Sequence, residues 1–152
     1  MQYCHTQRGR FHYLLYLVVA GMLVGAWLAR DSHVPMALLL GVAVVMFFFA
    51  QAFHYLTVRD EGDALAIRFG PLPFLRRRIP YASITAVEPG RTSFLEGWGV
   101  HWVPGRGMTY NIWGFDCATL HLGKRVIRIG SDDVENLVSF LRGKIEKGAA
   151  EK

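Results

Sequence analysis

The sequence predicts a membrane protein: a two-helix transmembrane hairpin, then an α+β domain in which a seven-stranded antiparallel barrel or sandwich is capped by a C-terminal helix. Three observations predict it. Two long runs near the start carry no charged residue, the texture after Thr57 changes to two-residue alternation, and the last stretch bears one apolar stripe at helical spacing. The 152 residues are 52% hydrophobic and 19% charged, whereas a soluble domain carries roughly a quarter charged residues. The formal net charge of +5 suits an anionic partner. Membrane proteins also carry Lys and Arg to set their topology, so charge alone does not choose between nucleic acid and bilayer.

The first run, "YLLYLVVAGMLVGAWLA", covers Tyr13 to Ala29, and the second, "VPMALLLGVAVVMFFFAQAFHY", covers Val34 to Tyr55. As helices they are about 25 and 33 Å long, compatible with a hydrocarbon core of roughly 30 Å. The first is not read as a signal peptide, because no clear A-x-A site follows and a second run arrives within four residues. The connector "RDSH", Arg30 to His33, is so short that the helices run antiparallel as neighbours. Pro35 suits the first turn of the second helix, where a missing N–H costs nothing.

Small residues recur at four-residue steps: Gly21, Gly25 and Ala29 on one helix, Ala37 and Gly41 on the other. Reflected through the connector, Ala29 faces Ala37 and Gly25 faces Gly41. Such seams let backbones approach closely, inside the hairpin by preference or between two copies of the chain. Arg8 and Arg10 precede the hairpin and Arg59, Arg68 and Arg76 to Arg78 follow it, while the connector has only Arg30 beside Asp31. Positive residues favour the cytoplasm, so both termini are expected there, in a multi-pass protein of a bacterial inner membrane.

The chain is thus expected to divide into a cytoplasmic tail (1–12), the hairpin (13–56), the β-rich domain (57–147) and a short tail (148–152). In "LTVRDEGDALAIRFG", Leu65, Ile67 and Phe69 alternate with smaller or polar residues about an "EGD" turn. Further strand candidates are Leu75 to Ile79, Ser83 to Glu88, Trp98 to Val103, Met108 to Ile112, Phe115 to Leu122 and Arg125 to Ile129. "GPLP", "PGRG" and "GK" separate them as turns. Strands at such spacing suggest an antiparallel barrel or sandwich. In "SDDVENLVSFLRGKIEK", Val134, Leu137, Val138, Leu141 and Ile145 form one stripe. Ser131 or Asp132 caps this helix, and Asp132 with Glu135 has capping-box spacing.

Four segments, "LTVRDEGDALAIRFGPL", "RRRIPYASITAVEP", "GWGVHWVPGRGMTYNIWGFDCATLHL" and "KRVIRIGSDDVENLVSFL", resemble the bacterial PH-domain family of small membrane proteins. They cover most of Thr57 to Ile145; "IRIGSDD" and "YNIWGFDCATLHL" are the most specific. The resemblance implies a pleckstrin-homology-like fold attached to a membrane. It brings no catalytic residues.

The "RRR" of Arg76, Arg77 and Arg78 follows a hairpin that returns the chain toward the bilayer, so these arginines are expected to dock the domain on anionic lipid headgroups. In a strand Arg76 and Arg78 point one way and Arg77 the other. A solvated strand edge and a specific headgroup or protein site are the alternatives. Nucleic acid is not an expected partner, since no recognition helix or aromatic ribonucleoprotein motif accompanies the charge.

Six scattered histidines make no metal-ligand spacing, "PGRG" lacks the GK[ST] of a phosphate loop, and "GFDC" has no partnered base. Gln51 and His54, near the cytoplasmic end of the second helix, are read as interfacial. Cys4 and Cys117 are too few for a disulfide framework and are read as thiols, one in a mobile tail and one in a strand. Neither a metal nor another cofactor is expected, and no catalytic residue. Trp98, Trp102 and Trp113 are either exposed partner-binding aromatics or core filling. The expected function is a membrane-anchored, non-enzymatic adaptor for a protein partner or anionic lipid headgroups. The alternative is an accessory or regulatory subunit of a membrane enzyme or transporter, assembled through the hairpin.

Overall fold

The computed structural model describes residues 2–72, 75–93, 99–105 and 107–150. Two apolar helices, α1 (Phe11–Leu28) and α2 (His33–Ala52), pack as an antiparallel pair. Both are long and apolar enough to cross a membrane, and only 11% of each apolar window is buried within the chain. The hairpin is therefore not the core of the β-rich domain. Its outer surface is bare Leu, Val and Phe that water would solvate poorly.

The hairpin is inserted within a sheet. Strand β1 (Cys4–Arg8) lies two residues before α1, and β2 (Tyr55–Asp60) begins two residues after α2. These strands pair antiparallel, from Cys4 opposite Arg59 to Arg8 opposite Tyr55. The expected N-terminal tail is thus a strand, with Cys4 inside it. "CHTQR" lacks apolar alternation because its inward-facing positions are polar: Gln7 is buried and donates to the Trp113 carbonyl at 2.9 Å. Backbone pairing, not side-chain hydrophobicity, places this segment.

Strands β3 (Ala64–Phe69) and β4 (Arg76–Pro80) complete a four-stranded sheet in the order β1-β2-β3-β4. A 3-10 turn at Tyr81–Ser83 leads to the second sheet. This contains β5 (Ala86–Arg91), β6 (Gly99–Val103), β7 (Gly107–Asn111), β8 (Asp116–Leu122) and β9 (Arg125–Gly130), in the order β5-β8-β9-β7-β6. The expected seven-stranded antiparallel barrel or sandwich becomes nine strands among the described residues, in two sheets that share a core and do not close into a barrel. One pairing, β7 with β9, is parallel. The strand expected at Ser83 to Glu88 starts later, because Tyr81 turns inward to donate to Asp60.

Leu56, Ile67 and Phe69 of the first sheet meet Tyr110, Leu120 and Ile129 of the second in one apolar core. Helix α3 (Val134–Ala150) adds Leu137, Val138 and Leu141. Its start differs from the expected capping box. Ser131 Oγ accepts from the Asp133 N–H at 3.0 Å, while Asp132 turns away to His5 Nε2 at 2.6 Å.

Two glycines fit the hairpin onto the sheets. A Cβ on Gly9 would press on Ile112 and the Phe53 carbonyl, and one on Gly70 would overlap the Gln51 carbonyl at the end of α2. Gly70 also has φ +55°, a backbone region that other residues enter at a cost.

At the opposite end, Asp60 ties α3 to the first sheet. Its buried carboxylate accepts from Tyr81 Oη at 2.8 Å and the Gly62 N–H at 2.8 Å, and pairs with Lys144 Nζ at 2.9 Å. Burial pushes the Asp60 pKa up, but the bonds from Lys144, Gly62 and Tyr81 outweigh it and hold the group below its ordinary 3.8. Burial and the adjacent Asp60 carboxylate push the Tyr81 hydroxyl up.

Two outcomes are expected. Because the folded pKa of Asp60 lies below the unfolded one, the ionised group stabilises the fold above pH 3.8 and that contribution fades as pH falls through the folded pKa. Asp60→Asn should therefore cost about 1–3 kcal/mol at neutral pH, with the gap from wild type closing in acid, as read by Tm against pH. On the hairpin, Ala26, Ala43 and Ala50 are buried whereas Gly41 is open. Ala43→Leu should lower the Tm of the detergent-solubilised chain, by about 1–3 kcal/mol of overpacking, and Gly41→Leu should leave it unchanged.

Candidate functional site: an arginine face beside the hairpin

Successive side chains of a strand point to opposite faces, so the register of the first sheet sorts its residues. The inner face carries Leu56, Val58, Leu65, Ile67 and Ile79 into the core. The outer face brings together arginines remote in sequence. Arg8 lies opposite Tyr55, Thr57 opposite Arg68, Arg68 opposite Arg76, and Arg59 and Arg78 flank Ala66.

Distance from the hairpin grades this face. At about 3.3 Å per residue, Arg68 and Arg76 lie roughly 7 Å along the strands from the Arg8–Tyr55 row, and Arg59 and Arg78 roughly 13 Å. Beyond them the β2–β3 turn carries Glu61 and Asp63.

Glu61 gathers three of the arginines. Arg59 Nη2 lies 2.9 Å from Oε1, Arg76 Nη2 2.9 Å from both oxygens, and Arg78 Nε 2.9 Å from Oε2. Arg78 also reaches Asp63 at 3.0 Å. The Arg59 bond first, and then Arg76, hold the Glu61 carboxyl below the usual carboxylate range. The "RRR" cluster is therefore divided: Arg76 and Arg78 are committed to carboxylates on the outer face, and Arg77 lies on the inner side, opposite Ile67. Arg8, Arg10 and Arg68 are exposed beside the hairpin and have no carboxylate partner among the described residues. Arg68 Nη2 donates only to the Pro71 carbonyl, at 3.2 Å.

Aromatic residues mark both ends of the hairpin. Tyr13 is exposed in the first turn of α1, and Trp113 and Phe115 are exposed where β7 passes to β8, next to the β1 end held by Gln7. At the far end the Arg30 guanidinium sits 4.9 Å from the Trp27 ring centre. Such residues suit the boundary between hydrocarbon and headgroups. At the helix–sheet junction the rings of His12 and His54 stack with centres 4.7 Å apart, and Gln51 donates to Tyr16 Oη at 3.1 Å. Both polar residues of the second run thus find partners inside the chain.

The small-residue positions are less united than the sequence suggests. A Cβ on Gly25 would touch Leu39 at 3.4 Å, while Gly21 and Gly41 have open space around them. Ala29 is half-buried and Ala37 is exposed. The buried positions instead recur about every seven residues, as at Ala43 and Ala50, the spacing of an antiparallel seam. Trp102 is 67% exposed, and Trp98 lies outside the described residues. Among the described residues no group of three or more His, Cys, Asp or Glu gathers to hold a metal ion.

No family model matches the chain, and no curated protein matches it.

Glu61→Gln should leave Arg59, Arg76 and Arg78 facing one another with only Asp63, on Arg78, to offset them. The Tm should fall at low ionic strength and recover toward wild type in about 1 M NaCl, where the screening length is roughly 3 Å.

Proposed function

We propose that this protein is a bilayer-anchored, non-enzymatic adaptor that holds a β-rich module against the cytoplasmic face of a bacterial inner membrane. The observation that carries this reading is the join. Both ends of the apolar hairpin pass within two residues into β1 and β2, which are paired neighbours. If α1 and α2 span a bilayer, the module sits at its surface with no tether to swing on. Arginines crowd the module side, and the connector has only Arg30 beside Asp31, an asymmetry that favours the cytoplasm for the module.

In this reading the docking charge comes from Arg8, Arg10 and Arg68. These lie nearest the hairpin, and each is worth roughly 1 kcal/mol at an anionic surface. Arg76 and Arg78, tied to Glu61, contribute less. A C-terminal helix packed on two sheets supports the pleckstrin-homology-like reading of the module, and the parallel β7–β9 pair departs from an all-antiparallel arrangement. A second reading, as an accessory subunit of a membrane enzyme or transporter, draws on Gly21 and Gly41. Their open helix faces would admit another helix closely.

Thiol labelling in intact cells tests the anchor. Cys4 is exposed on the module side and Cys117 is buried, so a membrane-impermeant maleimide should react with Ser32→Cys in the connector before lysis, and with Cys4 only after it. The chain should also stay in the membrane pellet through alkaline carbonate. Labelling of Cys4 in intact cells, or release by carbonate, overturns the reading.

A further inference from the structure

Among the described residues, the two sheets leave one side of the domain uncovered. Strands β4 and β6 are the terminal strands of their sheets, and the hollow between them is floored by core residues. Val100 lies directly opposite Tyr110, and Trp102 opposite Met108. Directly opposed residues share a face of a sheet, so Val100 and Trp102 point the same way as Tyr110, toward the first sheet. Tyr110 is buried at 6%, yet Val100 is 48% exposed and Trp102 67%. The first sheet ends at β4 and does not reach them.

The result is two adjoining hollows of about 460 and 240 Å³ that share Arg77 and Tyr110. Ile67, Phe69, Met108 and Ile127 form their apolar floor. Among the described residues no Asp or Glu lines either one, whereas Arg77, Lys124 and Arg125 stand at the rim. All three cations are exposed and without a carboxylate partner among the described residues.

We infer that this groove binds an extended segment of a partner protein in which apolar and acidic residues alternate. Charge complementarity selects the acidic character, since the rim is positive and holds no counter-charge among the described residues. The uncovered inner face of β6 selects the apolar character, because a strand laid there places every second side chain on Val100, Trp102 and Tyr110. The terminal strands select the extended form. An added strand can pair with a free sheet edge through its main chain while alternate side chains enter the hollow. Five residues of β6 offer about 17 Å of edge. Arg77 on the inner side of β4 guards the β4 edge against self-pairing, as inward charges do, until an acidic segment neutralises it.

This inference rests on the adaptor reading and names its partner by chemistry. The test uses the full chain in non-ionic detergent micelles and a fluorescein-labelled peptide of alternating valine and glutamate, with a valine–lysine peptide beside it. Anisotropy should show saturable binding of the glutamate peptide alone, weakening as salt rises. Trp102→Ala and Arg77→Glu should each weaken it about tenfold or more, as loss of a central aromatic or Arg contact does. A Lys124→Glu, Arg125→Glu double variant on the exposed turn should do likewise, with unchanged circular dichroism and Tm in all three. No saturable binding, equal binding of the lysine peptide, or indifference to these variants overturns the inference. So does displacement by vesicles containing phosphatidylglycerol, which would make the groove a lipid site. Since anisotropy in micelles does not depend on topology, failed thiol labelling with intact peptide binding overturns the anchor alone. Correct labelling without peptide binding overturns the groove alone.

Discussion

The join between the apolar hairpin and the first sheet is the constraint from which the rest of the structure follows. Two helices that run antiparallel deliver their outer ends side by side, and those ends continue as β1 and β2, already at pairing distance. The closure is tight because Gly9 lies against Ile112 and Phe53, and Gly70 against Gln51, where no side chain fits. Backbone hydrogen bonding then runs from helix to strand with a two-residue change of direction on each side. Such a connection transmits orientation: tilting the hairpin would turn the module with it unless the Arg8–Tyr55 end of the ladder came apart.

Charge is distributed to match that frame. The end of the sheet away from the hairpin holds two neighbouring carboxylates with different tasks, Asp60 at the end of β2 and Glu61 in the turn that follows. Asp60, buried, binds Lys144 and Tyr81 and so fastens α3 to the sheet. Glu61, on the outer face, draws in Arg59, Arg76 and Arg78. The carboxylates thus offset charge at the far end, while Arg8, Arg10 and Arg68 at the near end have no carboxylate partner among the described residues.

The sandwich itself is closed unevenly. Helix α3 packs its Leu137 and Leu141 stripe onto the shared core, and Tyr3 stacks on Phe140 with ring centres 5.3 Å apart while its hydroxyl reaches Asp133. That corner is sealed by contributions from both ends of the chain. Among the described residues the β4–β6 side lacks an equivalent element, and Val100 and Trp102 stay at the surface though they face inward. Large apolar side chains left uncovered on an inner face are uncommon enough in a small domain to suggest a binding surface.

The sequence by itself determined whatever depends on neighbours along the chain. The two apolar runs fixed α1 and α2 through length and lack of charge, the stripe from Val134 to Ile145 fixed α3, and alternation located most strands to within a residue or two. Sequence register also placed Arg76 and Arg78 opposite Arg77. Tertiary structure alone decided what depends on distant partners. β1 carries no hydrophobic pattern, because its pairing with β2 spans the whole hairpin. The capture of Arg76 by Glu61, fifteen residues away, and of Arg78 by the same carboxylate depends on hairpin register. The order β5-β8-β9-β7-β6 and its parallel pair reflect how sheets pack. Local periodicity reports which face of an element is apolar, and only the packed fold settles which surface covers that face or leaves it open.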